Sequence, residues 1–145
     1  MSLEQVKRVV PGAVTPAEPE QFNDGTKELL RLEDIEIVHR RFRVLFYFKN
    51  GKLDQVTLNL KKPEGFDDLL HVFDSLTEVL RSKYGKEIKR DIHRGDISSA
   101  GQMNTAEATW LQGQTNINLY SISFGPTSEL NVNYQVRLAK EAEKL

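Results

Sequence analysis

The side chains best suited to chemistry in this chain are its three histidines and the carboxylates near them. His71 follows Asp67 by four positions. Residues four apart share a helix face, a spacing that metal ligands use. A metal centre also needs a third ligand and groups that orient it, and the sequence offers neither. His71 borders an apolar stripe, where a partly buried histidine packs well. Asp91, His93 and Asp96 stand close together in a polar stretch, which reads more readily as a solvated connection than as an acid–base group. His39 precedes Arg40-Arg41 and reads as a charged strand end. Gly-x-Ser-x-Gly, His-Glu-x-x-His and phosphate-loop motifs are missing. The absence of cysteine excludes disulfides, thiolate metal sites and cysteine nucleophiles. The reading is therefore non-enzymatic, with no cofactor and no metal site.

Polar side chains in strand-like segments are more informative. Asn116 and Asn118 fall two apart, as do Asn131, Asn133 and Gln135, so each set shares one face of a strand. Asparagine is a poor strand former, and its repetition points to a face open to water or to a partner. Tyr47 and Tyr120 alternate to the same side as these amides. Tyrosine supplies large contact area at small entropic cost. The candidate partner-binding residues are therefore Arg41, Arg43, Tyr47, Asn118, Tyr120, Asn133 and Gln135. A plain solvated face is the competing reading. Basic residues cluster at His39–Arg43 and Lys86–Arg94, but twenty basic against twenty-one acidic residues leave a net charge of −1. Nucleic-acid binders carry a strongly basic surface, so no nucleic acid is expected as partner.

The elements that must position these residues follow from hydrophobic period and turn chemistry. A chain of 145 residues buries about two thirds of its unfolded surface and needs no staple. It reads as a single domain over 1–145. Ser2 caps a short helix carrying Leu3, Val6, Val9 and Val10, which Pro11-Gly12 ends. Residues 11–26, with Pro11, Pro16 and Pro19, form a loop. A strand from Lys27 to Val38 is interrupted near Glu33-Asp34. In Arg41–Lys49, Phe42, Val44, Phe46 and Phe48 alternate with Arg41, Arg43, Leu45 and Tyr47. Asn50-Gly51 then signals a type I′ turn into the strand Lys52–Lys61. After Pro63, the residues Phe66, Leu69, Leu70, Phe73, Leu76, Leu80 and Tyr84 mark a helix of about five turns, closed by Gly85. Gly95–Gly101 reads as a flexible connection. Strands over 105–112, 115–124 and 129–138 follow, and then a short helical tail over 140–145.

The order is α-βββ-α-βββ, and the two halves echo each other. Leu3, Val6, Arg8 and Gly12 recur as Leu76, Val79, Arg81 and Gly85, 73 positions on. The expected architecture is α+β, with tandem α-βββ units over 1–62 and 63–145. They form one antiparallel sheet of about six strands, with both helices packed on its apolar face.

Several short motifs resemble small bacterial envelope proteins, namely the SmpA/BamE-like lipoproteins and the beta-lactamase-inhibitor-protein-like domains. Ser2-Leu-Glu-Gln-Val6 resembles their opening helix. Asn50-Gly-Lys-Leu53-Asp-Gln-Val56 resembles their Phe-x-x-Gly-x-Leu-x-x-Val hairpin. Leu80-Arg-Ser-Lys-Tyr-Gly85, Thr109-Trp110 and Thr115–Leu119 resemble the second half of related envelope proteins. The resemblance implies helices on one face of an antiparallel sheet, a periplasmic or cell-envelope location, and protein–protein contact rather than catalysis. It departs from the family pattern in having no disulfide, no lipid-attachment cysteine and a loop in place of a second short helix. The expectation is a non-catalytic bacterial envelope domain that binds another protein, whose leader was trimmed and whose missing N-terminal anchor would hold it at the membrane periphery. The alternatives are a cytoplasmic secretion-chaperone-like dimer, should Met1 be the native start, and an uncharacterised small hydrolase.

Overall fold

The computed structural model describes residues 1–98 and 101–136. The chain folds as α1 (Leu3–Val9), β1 (Lys27–Ile37), β2 (Arg40–Lys49), β3 (Lys52–Leu60), α2 (Gly65–Tyr84), β4 (Lys89–Arg94), β5 (Met103–Gln112), β6 (Thr115–Phe124) and β7 (Thr127–Val136). The strands form one antiparallel sheet in the order β1-β2-β3-β7-β6-β5-β4. The α+β class and the single antiparallel sheet are as expected. The strand count is seven rather than six, because Lys89–Arg94 pairs along the outer side of β5. Every residue of that strand is exposed, so it shows none of the alternation that betrays a half-buried strand. The expected helical tail over 140–145, and the end of the last strand at 137–138, lie outside the described residues.

Both helices cover the same sheet face. Ser2 caps α1 through a reciprocal pair of bonds with Gln5, one 3.3 Å long and one 2.7 Å. Val6 of α1 packs with Leu30, Val44, Phe46 and Phe48. The longer α2 lays Leu69, Val72, Phe73, Leu76 and Leu80 against Phe42, Ala106, Ala108, Trp110, Ile117, Leu119, Leu130 and Val132. Each of the larger buried aliphatic and phenylalanine side chains contributes about 1.5–3 kcal/mol. The small Ala106 and Ala108 lie under the helix, next to the larger Trp110, whose indole N–H donates to the Gly85 carbonyl at 2.9 Å. His71 is exposed on α2 rather than partly buried. Val44 and Phe46, on the apolar side of the alternation in β2, are buried, and Leu58 of β3 beside them is half-buried.

Four two-residue turns set the register. Asn50 and Gly51 have φ of 52° and 76°, the left-handed pair that a type I′ turn requires. Val38 and His39 adopt the same geometry with φ of 48° and 63°, although neither is a glycine and Val38 is β-branched. Gly113 and Gly125, at φ of 60° and 57°, open the other two turns. Pro126 cannot follow with positive φ, as suits a type II′ turn. The turns Val38-His39 and Gly113-Gln114 lie 75 positions apart, and so do Asn50-Gly51 and Gly125-Pro126. β1 bulges between Leu32 and Ile35, at the interruption expected near Glu33-Asp34.

Candidate functional site

The sheet face away from the helices collects the polar residues. Pleating sends Arg41, Arg43 and Tyr47 of β2, Gln55, Thr57 and Asn59 of β3, Asn131, Asn133 and Gln135 of β7, and Asn118 and Tyr120 of β6 to this side. All seven candidate residues therefore share one face, but they do not share one environment.

The centre is an amide ladder across β3 and β7. Thr57 Oγ1 donates to Asn133 Oδ1 at 2.7 Å, and Gln55 Nε2 donates to Thr57 Oγ1 at 2.9 Å. Asn59 Nδ2 donates to Asn131 Oδ1 at 2.7 Å, and Arg43 Nη1 donates to Asn59 Oδ1 at 2.9 Å. On β6, Asn118 Nδ2 reaches Glu107 and Thr109 of β5 at 3.2 and 3.3 Å. Tyr120, Asn133 and Gln135 are half-buried rather than fully exposed. Gln55 and Thr57 hold Asn133 laterally, and all three residues keep part of their surface in solvent. Bonds of this kind fix rotamers in advance, which lowers the ordering cost of binding.

Tyr47 departs from the expectation of an exposed aromatic. It is only 2% exposed, because the segment 11–26 folds over the β1–β2 end of the face. Phe22 stacks on its ring with centroids 4.9 Å apart. Its hydroxyl donates to Glu20 Oε2 at 2.7 Å. Burial, and then the negative Glu20, push the Tyr47 phenol well above its ordinary ionisation range. The covering segment runs along the outer edge of β1 through Val14 with Arg31 and Gln21 with Lys27. The fully buried Glu28 anchors it, accepting both Arg31 Nε and Nη2 at 2.7 Å and the Glu20 backbone N–H at 3.2 Å. Sequence reasoning missed this cover. The available signal was Phe22 itself, a large aromatic in a proline-rich loop with no apolar neighbour in sequence to bury it.

Arg41 stands at the rim. It forks onto Asp34 at 2.9 and 2.6 Å, and Lys61 adds a contact to Asp34 at 3.3 Å. The guanidinium bonds, with Lys61 behind them, lower the Asp34 carboxyl to about 2. Arg40 likewise forks onto Asp68 in the first turn of α2, at 2.6 and 3.0 Å. The basic cluster His39–Arg43 is thus largely neutralised by carboxylates.

Three concavities adjoin these residues. A polar cleft of about 450 Å³ opens where the 11–26 segment meets the ladder, lined by Arg31, Arg43, Tyr47, Thr57, Asn59 and Asn131 among others. A groove of about 780 Å³ runs between the Val38-His39 turn and α2, and a smaller one of about 520 Å³ flanks Arg40 and Lys62. His39 and His71 both line the large groove. No cluster of three metal-ligating side chains occurs among the described residues. Ser75 in the same groove donates its hydroxyl to the His71 backbone carbonyl at 3.1 Å. Asp91 and His93 lie side by side on the polar face of β4, exposed, and Asp96 falls beyond the strand. No helix among the described residues is long and apolar enough to cross a membrane. Compared with protein-family models, with curated proteins and with solved structures, the chain matches none.

Proposed function

We propose that this chain is a non-catalytic binding module that engages another protein through its polar sheet face. The contact is centred on Tyr120, Asn118, Asn133 and Gln135, with Arg43 at the mouth of the adjoining cleft. One observation carries the reading. The two helices cover one face of the sheet, whereas on the other face the described chain covers only the β1–β2 end and leaves the pre-set amide ladder in contact with solvent. A rigid ladder with a tyrosine on the neighbouring strand offers hydrogen-bonding specificity and contact area together. Tyr47 drops out of the contact set, because it is spent on holding the 11–26 segment. An envelope location rests on the motif resemblance alone.

We also read the chain as a duplicated α-βββ unit. Both pairs of corresponding turns keep one offset of 75 positions, and β3 and β7, third strands of their units, meet antiparallel at the centre of the sheet. β4 is then an addition to the second unit.

A photo-crosslinking phenylalanine analogue tests the surface when placed at position 120 and, in a control protein, at exposed Val79 of α2. In native cells, position 120 should yield a discrete protein adduct and position 79 should not. Adducts at 79 alone, or equally at both, would move the binding surface away from the sheet face. Fractionation of the native gene product tests the location, with recovery only in the cytosol refuting the envelope.

A further inference from the structure

The two edges of the sheet are treated differently. Along β1, the chain covers its own edge: Arg31 N–H donates to the Val14 carbonyl and Val14 N–H to the Arg31 carbonyl, both at 2.8 Å, and Glu28 N–H donates to the Glu20 carbonyl at 2.9 Å. Along β4, nothing among the described residues pairs with the outer side. Gly95 N–H donates to the Met103 carbonyl at 2.9 Å, which sets the parity of the ladder. Odd-numbered residues of β4 bond to β5, while Arg90, Ile92 and Arg94 turn their backbone N–H and C=O groups outward. An open row of this kind is a template for another strand.

We propose that the outer edge of β4 accepts an extended acidic peptide segment of a partner as an eighth antiparallel strand. Charge selects the occupant. β4 carries Lys89, Arg90 and Arg94 against Asp91. A second copy of the chain, paired antiparallel about Ile92, would set Arg90 opposite Arg94 twice, and like charges directly opposite are destabilising. The same arginines favour a strand with acidic residues at those two positions. Their present partners are weak competitors. Arg90 contacts Asp74 at 3.3 Å and Arg94 contacts Asp67 at 3.2 Å, both as solvent-exposed pairs. The Phe73 and Phe66 rings, 5.7 and 5.0 Å from the guanidinium carbons, hold both arginines beside α2. Between them Ile92 is 39% exposed, and Ile88 and Ile97 near the strand ends are 68% and 85% exposed. An edge designed only to repel strands has no use for three solvent-facing isoleucines. The recognised pattern is acidic-x-apolar-x-acidic, opposite Arg94, Ile92 and Arg90. This edge is separate from the polar face, and the proposal does not rest on that reading.

The test uses the full chain and two capped heptapeptides, Thr-Glu-Thr-Val-Thr-Glu-Thr and its counterpart with lysine for both glutamates. Binding is followed by backbone amide shifts and hydrogen exchange. The acidic peptide should protect the Arg90, Ile92 and Arg94 amides and bind at least ten-fold more tightly than the basic one. Ile92→Pro should abolish that protection, because it removes an outward N–H and leaves the ladder to β5 intact. Should that variant fail to fold, Arg90→Glu with Arg94→Glu should reverse the peptide preference. Absence of protection with either peptide overturns the proposal, as does equal affinity for both or unchanged binding in a folded Ile92→Pro protein. Crosslinking from position 120 is unaffected by these substitutions, so failure here is distinguishable from failure of the polar-face reading.

Discussion

Glu28→Gln isolates the interaction that anchors the 11–26 segment. The carboxylate has no solvent exposure, and Arg31 retains 18% of its side-chain exposure. Glutamine keeps the shape and one acceptor, so no cavity forms. It removes the negative charge and turns an amide N–H toward the guanidinium. Breaking a fully buried pair costs about 3–5 kcal/mol, because the surviving charge is stranded. The partial access of Arg31 to water places this case near the lower end, at about 3 kcal/mol. For a chain of this size that corresponds to roughly 10 °C in Tm. Trp110, the single tryptophan, is buried in the other half of the sheet, and its fluorescence in urea reports global unfolding. Hydrogen exchange at Glu28 and Arg31, whose amides bond to the segment, reports its release. Replacing both partners, with Glu28→Leu and Arg31→Met, should recover most of the loss, since apolar side chains substitute for a buried pair at little cost. A loss below about 1 kcal/mol for Glu28→Gln would refute the reasoning. So would a double variant no more stable than the single one.

Two further outcomes are expected. His39→Gly relieves a left-handed residue, worth about 1–2 kcal/mol, against about 0.5–1 kcal/mol of glycine entropy. The urea midpoint should therefore rise, and a fall would mean that the imidazole contributes more than its backbone costs. The Asp34 carboxyl is held at about 2 by Arg41 and Lys61, below its ordinary 3.8. A depressed carboxyl stabilises the fold above its unfolded value, and that contribution fades as pH falls from about 4 to about 2. Asp34→Asn should flatten the stability curve in that window, and a carboxyl carbon titration midpoint near 3.8 would contradict the ion-pair geometry.

Much of the fold was legible because its signals are local. The alternation of β2, the Asn50-Gly51 turn and the apolar stripe of α2 each occupy a short stretch, and each matches the structure. β4 escaped because an edge strand exposed on both faces needs no hydrophobic period. The Val38-His39 turn escaped because a β-branched residue at positive φ defies turn propensity; here Val38 packs against the core beside Ile35 and Ile37, and that packing offsets the strain. The face of the candidate site was readable, since alternation fixes side. What covers a face was not, since Tyr47 meets Phe22 and Glu20 only through a segment whose course no period encodes.

The β3–β7 ladder has a kinetic consequence. Every other ladder of the sheet joins strands that are consecutive in sequence, so each forms as a local hairpin within about 1–10 μs. At the seam Thr57 must find Asn133 across 76 positions, and the loop-closure entropy is paid before any contact there is gained. The slow step in folding is therefore the meeting of the three-stranded β1–β3 unit with the four-stranded β4–β7 unit, each already formed. Substitutions at Leu58 and Val132, which face each other across the seam, slow refolding, while those in the outer hairpins chiefly hasten unfolding.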